Sequence, residues 1–194
     1  MKKTILTITL IAAIITASLV ACSDGSATQT EPIAVISNDS LVRRGEYLVN
    51  GMGCDDCHTQ HIMGPQGPAL DIEHRFAGFV PGTPVGKADL SVMKEGYVLF
   101  GMSGTVYVGP WGTSYAANIS SDATGIGNWS EEQFLNAIRN GKSKGINEGR
   151  GLMPPMPWEI YRNLSDVDLK SIFAYLKTTK PVENRVPGPK APGL

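Results

Sequence analysis

Hydrophobic and polar residues change rhythm along the chain, and each rhythm predicts an element. Ile5 to Val20 is an apolar run, introduced by Lys2 and Lys3 and followed by small residues. It is shorter than the ~20 residues a membrane-spanning helix wants. Basic start, apolar middle and small-residue end together form the pattern of an export signal over residues 1–21. Residues 22–37 are small and polar, too poor in apolar surface to offset the entropy of ordering, and read as a flexible tether. Leu41, Gly45, Leu48 and Met52 then recur at the spacing of one helix face, with Gly45 permitting the close approach of a neighbour.

Two further helices carry their own start signals. Ser130 with Gln133 predicts a capping box, Trp129 and Phe134 a hydrophobic staple, and Gly141 the stop, leaving Phe134, Leu135 and Ile138 as the buried side. Ser165 opens the last helix, with Leu164 and Leu169 as its staple and Leu169, Ile172, Phe173 and Leu176 as its apolar stripe. Between these helical patterns, Tyr97–Phe100 and Thr105–Val108 flank a Gly101–Gly104 turn and predict a small hairpin. Pro181, Pro187, Pro189 and Pro192 end the chain as an extended segment, with residues 188–194 read as tail.

Composition narrows the class. The 194 residues, with 22 glycines and 13 prolines, make one loop-rich domain plus extensions. An apolar fraction of 42% against 18% charged residues supports a core and excludes a mainly disordered or fibrous chain. Net charge is −1, and without Lys2 and Lys3 there are 15 basic against 18 acidic side chains. No basic face is indicated, so a nucleic-acid partner is not expected.

The chemistry sits in three cysteines. Leu19-Val20-Ala21-Cys22 resembles the lipobox of bacterial lipoproteins, which implies cleavage before Cys22 and lipidation of its thiol, tethering an exported domain to a membrane surface that faces the periplasm or the cell exterior. Cys54-Asp55-Asp56-Cys57-His58 is the attachment pattern of haem c. On one helical turn two thiols lie on one side, each able to add to a vinyl group of the same porphyrin, while His58 offers its imidazole to the iron. A thioredoxin-like pair would want a βαβ setting and a zinc site a second cysteine pair, and neither is present in the sequence. For the second axial position, Met153 and Met156 lie in a proline-rich loop, Gly151 to Trp158. His74 offers a bis-histidine alternative, whereas His61 stands too close to His58 to reach the other face easily.

The early Cys54-to-His58 motif, the late Met-Pro loop and the final amphipathic helix together resemble a class I cytochrome c over residues 38–187. Pro155-Met156-Pro157-Trp158, Leu164-Ser165-Asp166 and Ala174-Tyr175-Leu176 are similar to mono-haem domains of cytochrome subunits of bacterial dehydrogenases. The resemblance implies a mainly α, cytochrome c-like fold with crossing N- and C-terminal helices, Tyr175 meeting Gly45. It implies Met156 as axial ligand, with Met153 in reserve. It also implies Pro68, in Gly67-Pro68-Ala69-Leu70, as the residue whose carbonyl accepts the hydrogen of the other His58 nitrogen, with Pro65 as the alternative. The 98-residue interval from His58 to Met156 exceeds that of compact members, so residues 79–128 are expected to build an elaborated wall over the haem, with Trp111, Tyr115 and Trp158 as packing aromatics. One-electron transfer between a redox protein donor and acceptor is the implied function. A haem enzyme or gas sensor with a labile sixth ligand, and a haem-free thiol oxidoreductase using Cys54 and Cys57, are the alternatives.

Overall fold

The computed structural model describes residues 37–192. The export signal, Cys22 and the tether up to residue 36 lie outside the described residues, as do the last two positions. In chain order the regular elements are α1 (Asn38–Gly51), α2 (Cys54–His58), β1 (His61–Gly64), β2 (Gly67–Leu70), β3 (Leu99–Phe100), β4 (Val106–Gly109), β5 (Gly112–Tyr115), α3 (Glu131–Asn140), α4 (Trp158–Tyr161) and α5 (Asp166–Leu176), joined by short 3₁₀ turns. Ser37, assigned to the tether by composition, is instead the N-cap of α1: its hydroxyl accepts the Ser40 amide hydrogen at 3.3 Å.

Helices α1 and α5 pack against each other at Gly45. A Cβ there would lie 1.9 Å from the Ser171 carbonyl oxygen and 2.7 Å from the Tyr175 Cβ, so no residue with a side chain fits without moving backbone. The expected Gly45–Tyr175 approach is therefore observed. Leu48 and Val49 of α1 join Leu169, Ile172, Phe173 and Leu176 of α5 in the core. Helix α3 adds Phe134 and Ile138, the Phe134 ring lying 5.3 Å from that of Phe173. Both capping-box bonds are made: Ser130 Oγ accepts from the Gln133 amide at 3.2 Å, and Gln133 Oε1 accepts from the Ser130 amide at 3.1 Å. Ser165 Oγ caps α5 in the same manner, accepting from Asp168 N at 3.1 Å.

The predicted hairpin is part of a three-stranded antiparallel sheet ordered β3-β4-β5, with Leu99 opposite Val108 and Val106 opposite Tyr115. Two features lie outside the sequence pattern: strand β5, and the two-stranded hairpin β1-β2, in which Met63 stands opposite Pro68. The proline-rich end is extended and held in place: Thr113 and Lys190 exchange backbone bonds of 3.0 and 2.9 Å. Asn118 reinforces it by donating to the carbonyls of Val182 and Asn184. Among the described residues no helix is long and apolar enough to cross a membrane.

Candidate haem-attachment site

Helix α2 is a single turn, begun by Gly53 in the left-handed conformation (φ 68°) and closed by Thr59, whose amide donates to the Asp55 carbonyl. The short turn places Cys54, Cys57 and His58 together. Both cysteines are free and half-buried, and Cys54 packs on the hydrophobic core. Burial, and secondarily the Asp55 charge, push the Cys54 thiol up to about 11. A thiol disulfide reagent needs the opposite, a depressed thiolate pKa, so this environment opposes the haem-free oxidoreductase reading.

His58 Nδ1 lies 2.7 Å from the carbonyl oxygen of Ala117. A carbonyl only accepts, so Nδ1 carries the hydrogen and Nε2 keeps its lone pair for a metal. Burial holds the imidazole below its ordinary pKa, against the opposing pull of the Ala117 bond and Asp55, which favours the neutral, ligating form. This bond corrects the assignment of Pro68. Pro68 is exposed in β2, its strand committed to the ladder with β1, and Pro65 is exposed in the connecting turn. The acceptor comes instead from the chain beyond β5. Gly78 lets that segment approach: a Cβ on Gly78 (φ 71°) would stand 2.4 Å from the Ala116 oxygen and 2.5 Å from the Ala117 carbonyl. The Gly78 amide in turn donates to the His58 carbonyl at 2.8 Å.

The first spacer residue of the motif is clamped. Asp55 receives Arg75 Nε at 2.9 and 3.1 Å and Arg75 Nη2 at 2.5 Å, and accepts the Thr59 hydroxyl at 2.6 Å. The same guanidinium donates to Asn50 of α1 at 2.6 Å and to the Tyr175 hydroxyl of α5 at 3.1 Å. One arginine thus joins α1, α2 and α5. Burial raises the Asp55 carboxyl, but the Arg75 and Thr59 hydrogen bonds and the guanidinium charge outweigh it and hold it below its ordinary value. Thr59 Oγ1 also accepts the amide of Phe76, a fully buried residue at φ 66°.

Met153 and Met156 are both half-buried and share one turn, Met156 N donating to Met153 O at 3.2 Å. Met156 packs against the same hydrophobic cluster as Cys54. The loop is pinned at its start, where Leu152 N donates to Gly141 O at 2.7 Å, and in its middle, where the Pro154 carbonyl accepts the Ser114 hydroxyl at 2.5 Å. The other histidines are engaged elsewhere. His74 Nδ1 bonds Asp71 at 2.8 Å with its side chain 59% exposed, and His61 Nδ1 lies 3.3 Å from the Ser103 carbonyl. The three singled-out aromatics all pack against neighbours: Trp111 Nε1 donates to Ser114 at 3.2 Å, the Tyr115 ring lies 4.6 Å from Phe79, and Trp158 covers Gly141. Sequence reasoning missed Ala117, Arg75 and Ser114. None of the three carries a local signal, since Arg75 and Ser114 meet their partners 20 and 40 residues away and Ala117 contributes only a backbone carbonyl.

The donor set fits haem c: two free thiols three positions apart, an imidazole with Nε2 spared, and a thioether on the same core.

No family model matches the chain. It is 31% identical over 180 residues to the fructose dehydrogenase cytochrome subunit of Gluconobacter japonicus, covering 92% of this chain and 29% of that protein. It is 34% identical over 141 residues to the gluconate 2-dehydrogenase cytochrome c subunit of Pantoea cypripedii, 72% of this chain and 23% of the relative. It is also 29% identical over 155 residues to the cytochrome c subunit of the quinone alcohol dehydrogenase of Gluconobacter oxydans (strain 621H), 78% of this chain and 24% of the relative. The chain therefore spans less than a third of the length of these curated relatives. They are cytochrome c subunits of bacterial dehydrogenases, in agreement with the attachment motif.

Proposed function

We propose that the chain is a one-electron carrier of a respiratory or dehydrogenase electron-transfer chain. It holds one haem c through thioether bonds to Cys54 and Cys57, with His58 and Met156 as axial ligands. The observation that carries this reading is the His58 imidazole, oriented by the Ala117 carbonyl at 2.7 Å so that Nε2 is spared, on the same turn as two free thiols. When bound, the haem supplies the one-electron iron couple.

The chain's own residues set how that couple behaves. The Nδ1–H···O=C bond fixes the ring and raises its basicity as a ligand. The Met156 thioether favours the ferrous state over a second imidazole, as does the apolar packing around Cys54 and Met156. Prolines on both sides of Met156 limit its movement between oxidation states. With His58 and Met156 holding the haem iron, no position would be left open for a substrate, and the group would serve one-electron transfer. Residues 59–70 and 96–121 contain no Asp, Glu, Lys or Arg, and the two stretches are joined by His61 N donating to Ser103 O at 2.8 Å. Ile62, Met63, Phe100 and Met102 stand exposed on them. A weak, transient contact with a redox protein donor or acceptor suits such an uncharged surface.

Lipidation at Cys22 tethers the exported domain to a bacterial membrane, on the strength of the Leu19-Val20-Ala21-Cys22 sequence. The axial assignment is tested by spectroscopy of the ferric protein. Met156→Ala abolishes the weak thioether-to-iron charge-transfer band and Met153→Ala leaves it intact; the reverse result moves the ligand to Met153. A high-spin resting spectrum that binds added gases would favour the enzyme or sensor alternative.

A further inference from the structure

The two candidate axial ligands, far apart in sequence, are held by one short piece of chain. Strand β5 and its extension run from Gly112 to Ala117. At one end of this piece the Ala117 carbonyl takes the His58 Nδ1 hydrogen at 2.7 Å. Three residues earlier, Ser114 donates its hydroxyl hydrogen to the Pro154 carbonyl at 2.5 Å and accepts the Trp111 indole N–H at 3.2 Å. Pro154 lies between Met153 and Met156. The Ser114 side chain is buried, and both of its bonds are partly shielded from water.

The segment is rigid for reasons independent of either ligand. Strand β4 flanks β5 in the sheet, and Thr113 exchanges two backbone bonds with Lys190 on its other side. Ala116 N donates to Thr105 O at 2.9 Å, and Ala116 O accepts from Phe79 N at 3.0 Å. Trp111 is fixed as well, its ring resting over Gly109, where a Cβ would stand 2.5 Å from the indole. A hydroxyl anchored this way restrains the carbonyl it bonds.

We propose that Ser114 is a positioning residue for the methionine loop, and that residues 114–117 act as a strut setting the spacing between the His58 imidazole and the thioether ligand. The inference rests on the reading that this loop supplies the sixth ligand, and it holds whether Met153 or Met156 is that ligand. Losing the Ser114 hydroxyl leaves the Pro154 carbonyl without its buried donor, and the loop then releases its thioether more readily.

The test uses the mature holoprotein, with imidazole as the probe that displaces a thioether from ferric iron, followed by loss of the charge-transfer band. Ser114→Ala is expected to tighten apparent imidazole binding roughly five- to a hundredfold, the range that loss of one buried hydrogen-bond partner gives. Binding within about twofold of the parent protein overturns the proposal, whatever happens to the melting temperature. If Ser114→Ala does not mature, Trp111→Phe decides. It keeps the hydroxyl but removes the donor that orients it, and is expected to tighten imidazole binding roughly two- to tenfold, a value near that of one neutral hydrogen bond; no change overturns the proposal. Failure of the underlying reading looks different. In that case the parent protein shows no such band, or the band survives both Met153→Ala and Met156→Ala.

Discussion

Replacing Arg75 by methionine tests how the attachment turn is secured to helices α1 and α5, which pack against each other at Gly45. The substitution keeps most of the aliphatic volume and removes the guanidinium that bonds Asp55, Asn50 and Tyr175. Asp55 then retains one side-chain donor, the Thr59 hydroxyl at 2.6 Å. Breaking a fully buried ion pair from one side costs about 3–5 kcal/mol, while an exposed pair contributes about 0–1 kcal/mol. Here the side chains are 28% and 13% exposed, which places the pair between these limits and nearer the buried one. A loss of about 2–4 kcal/mol follows. At about 2–4 °C per kcal/mol for a domain of this size, melting falls by roughly 5–15 °C. Thermal unfolding of the haem-loaded protein, followed by circular dichroism, measures it. Asp55→Asn and the double variant complete a cycle, in which the second substitution costs little once the first is made. A melting temperature within about 1 °C of the parent would refute the clamp as a contributor to stability.

Two more predictions concern the same framework. Because the Asp55 carboxyl is held below its ordinary pKa, its contribution is fully present above the unfolded value of about 3.9 and is lost as pH falls through the lower folded one. Melting temperature therefore declines on acidification below about pH 4, and Arg75→Met declines less steeply over that range; equal slopes would contradict the assignment. Ser171, at the contact with Gly45, buries a hydroxyl with no hydrogen-bond partner. Ser171→Ala should leave stability unchanged or raise it by about 1 kcal/mol in a denaturant titration, and a loss of similar size would mean that the hydroxyl is bonded.

What the sequence revealed divides along the range of the forces involved. Helix ends set by neighbours three residues away, such as Ser130 with Gln133 and Ser165 with the Asp168 amide, were legible because the whole device is local. So was the stripe Leu169, Ile172, Phe173 and Leu176, and so was Gly45, since a helix face with a missing side chain implies a close neighbour. The attachment turn was legible because two cysteines and a histidine, both scarce residue types in this chain, stand within five positions. The group that orients His58 was not, because any residue carries a carbonyl and nothing in Ala117 distinguishes its own. Pro68 stands in a family-like segment, yet that segment pairs as a hairpin with Gly64 opposite Gly67, which leaves Pro68 exposed. Strand β5 was hidden by its composition, Gly-Thr-Ser-Tyr after Gly-Pro-Trp, which reads as loop until β4 supplies the partner. Arg75 and Ser114 act on chain 20 and 40 residues away, distances at which sequence pattern carries no register.

The central claim is that two sulfurs and an imidazole on one helical turn hold a single porphyrin covalently. Its most direct measurement is made on the mature protein from a host competent in cytochrome maturation, denatured and then extracted with acidified acetone. The account predicts that the colour stays with the polypeptide, one haem per chain, and that it is lost when Cys54 and Cys57 are both replaced by alanine. Colour passing into the solvent, or a colourless polypeptide with two titratable thiols at these positions, would contradict it.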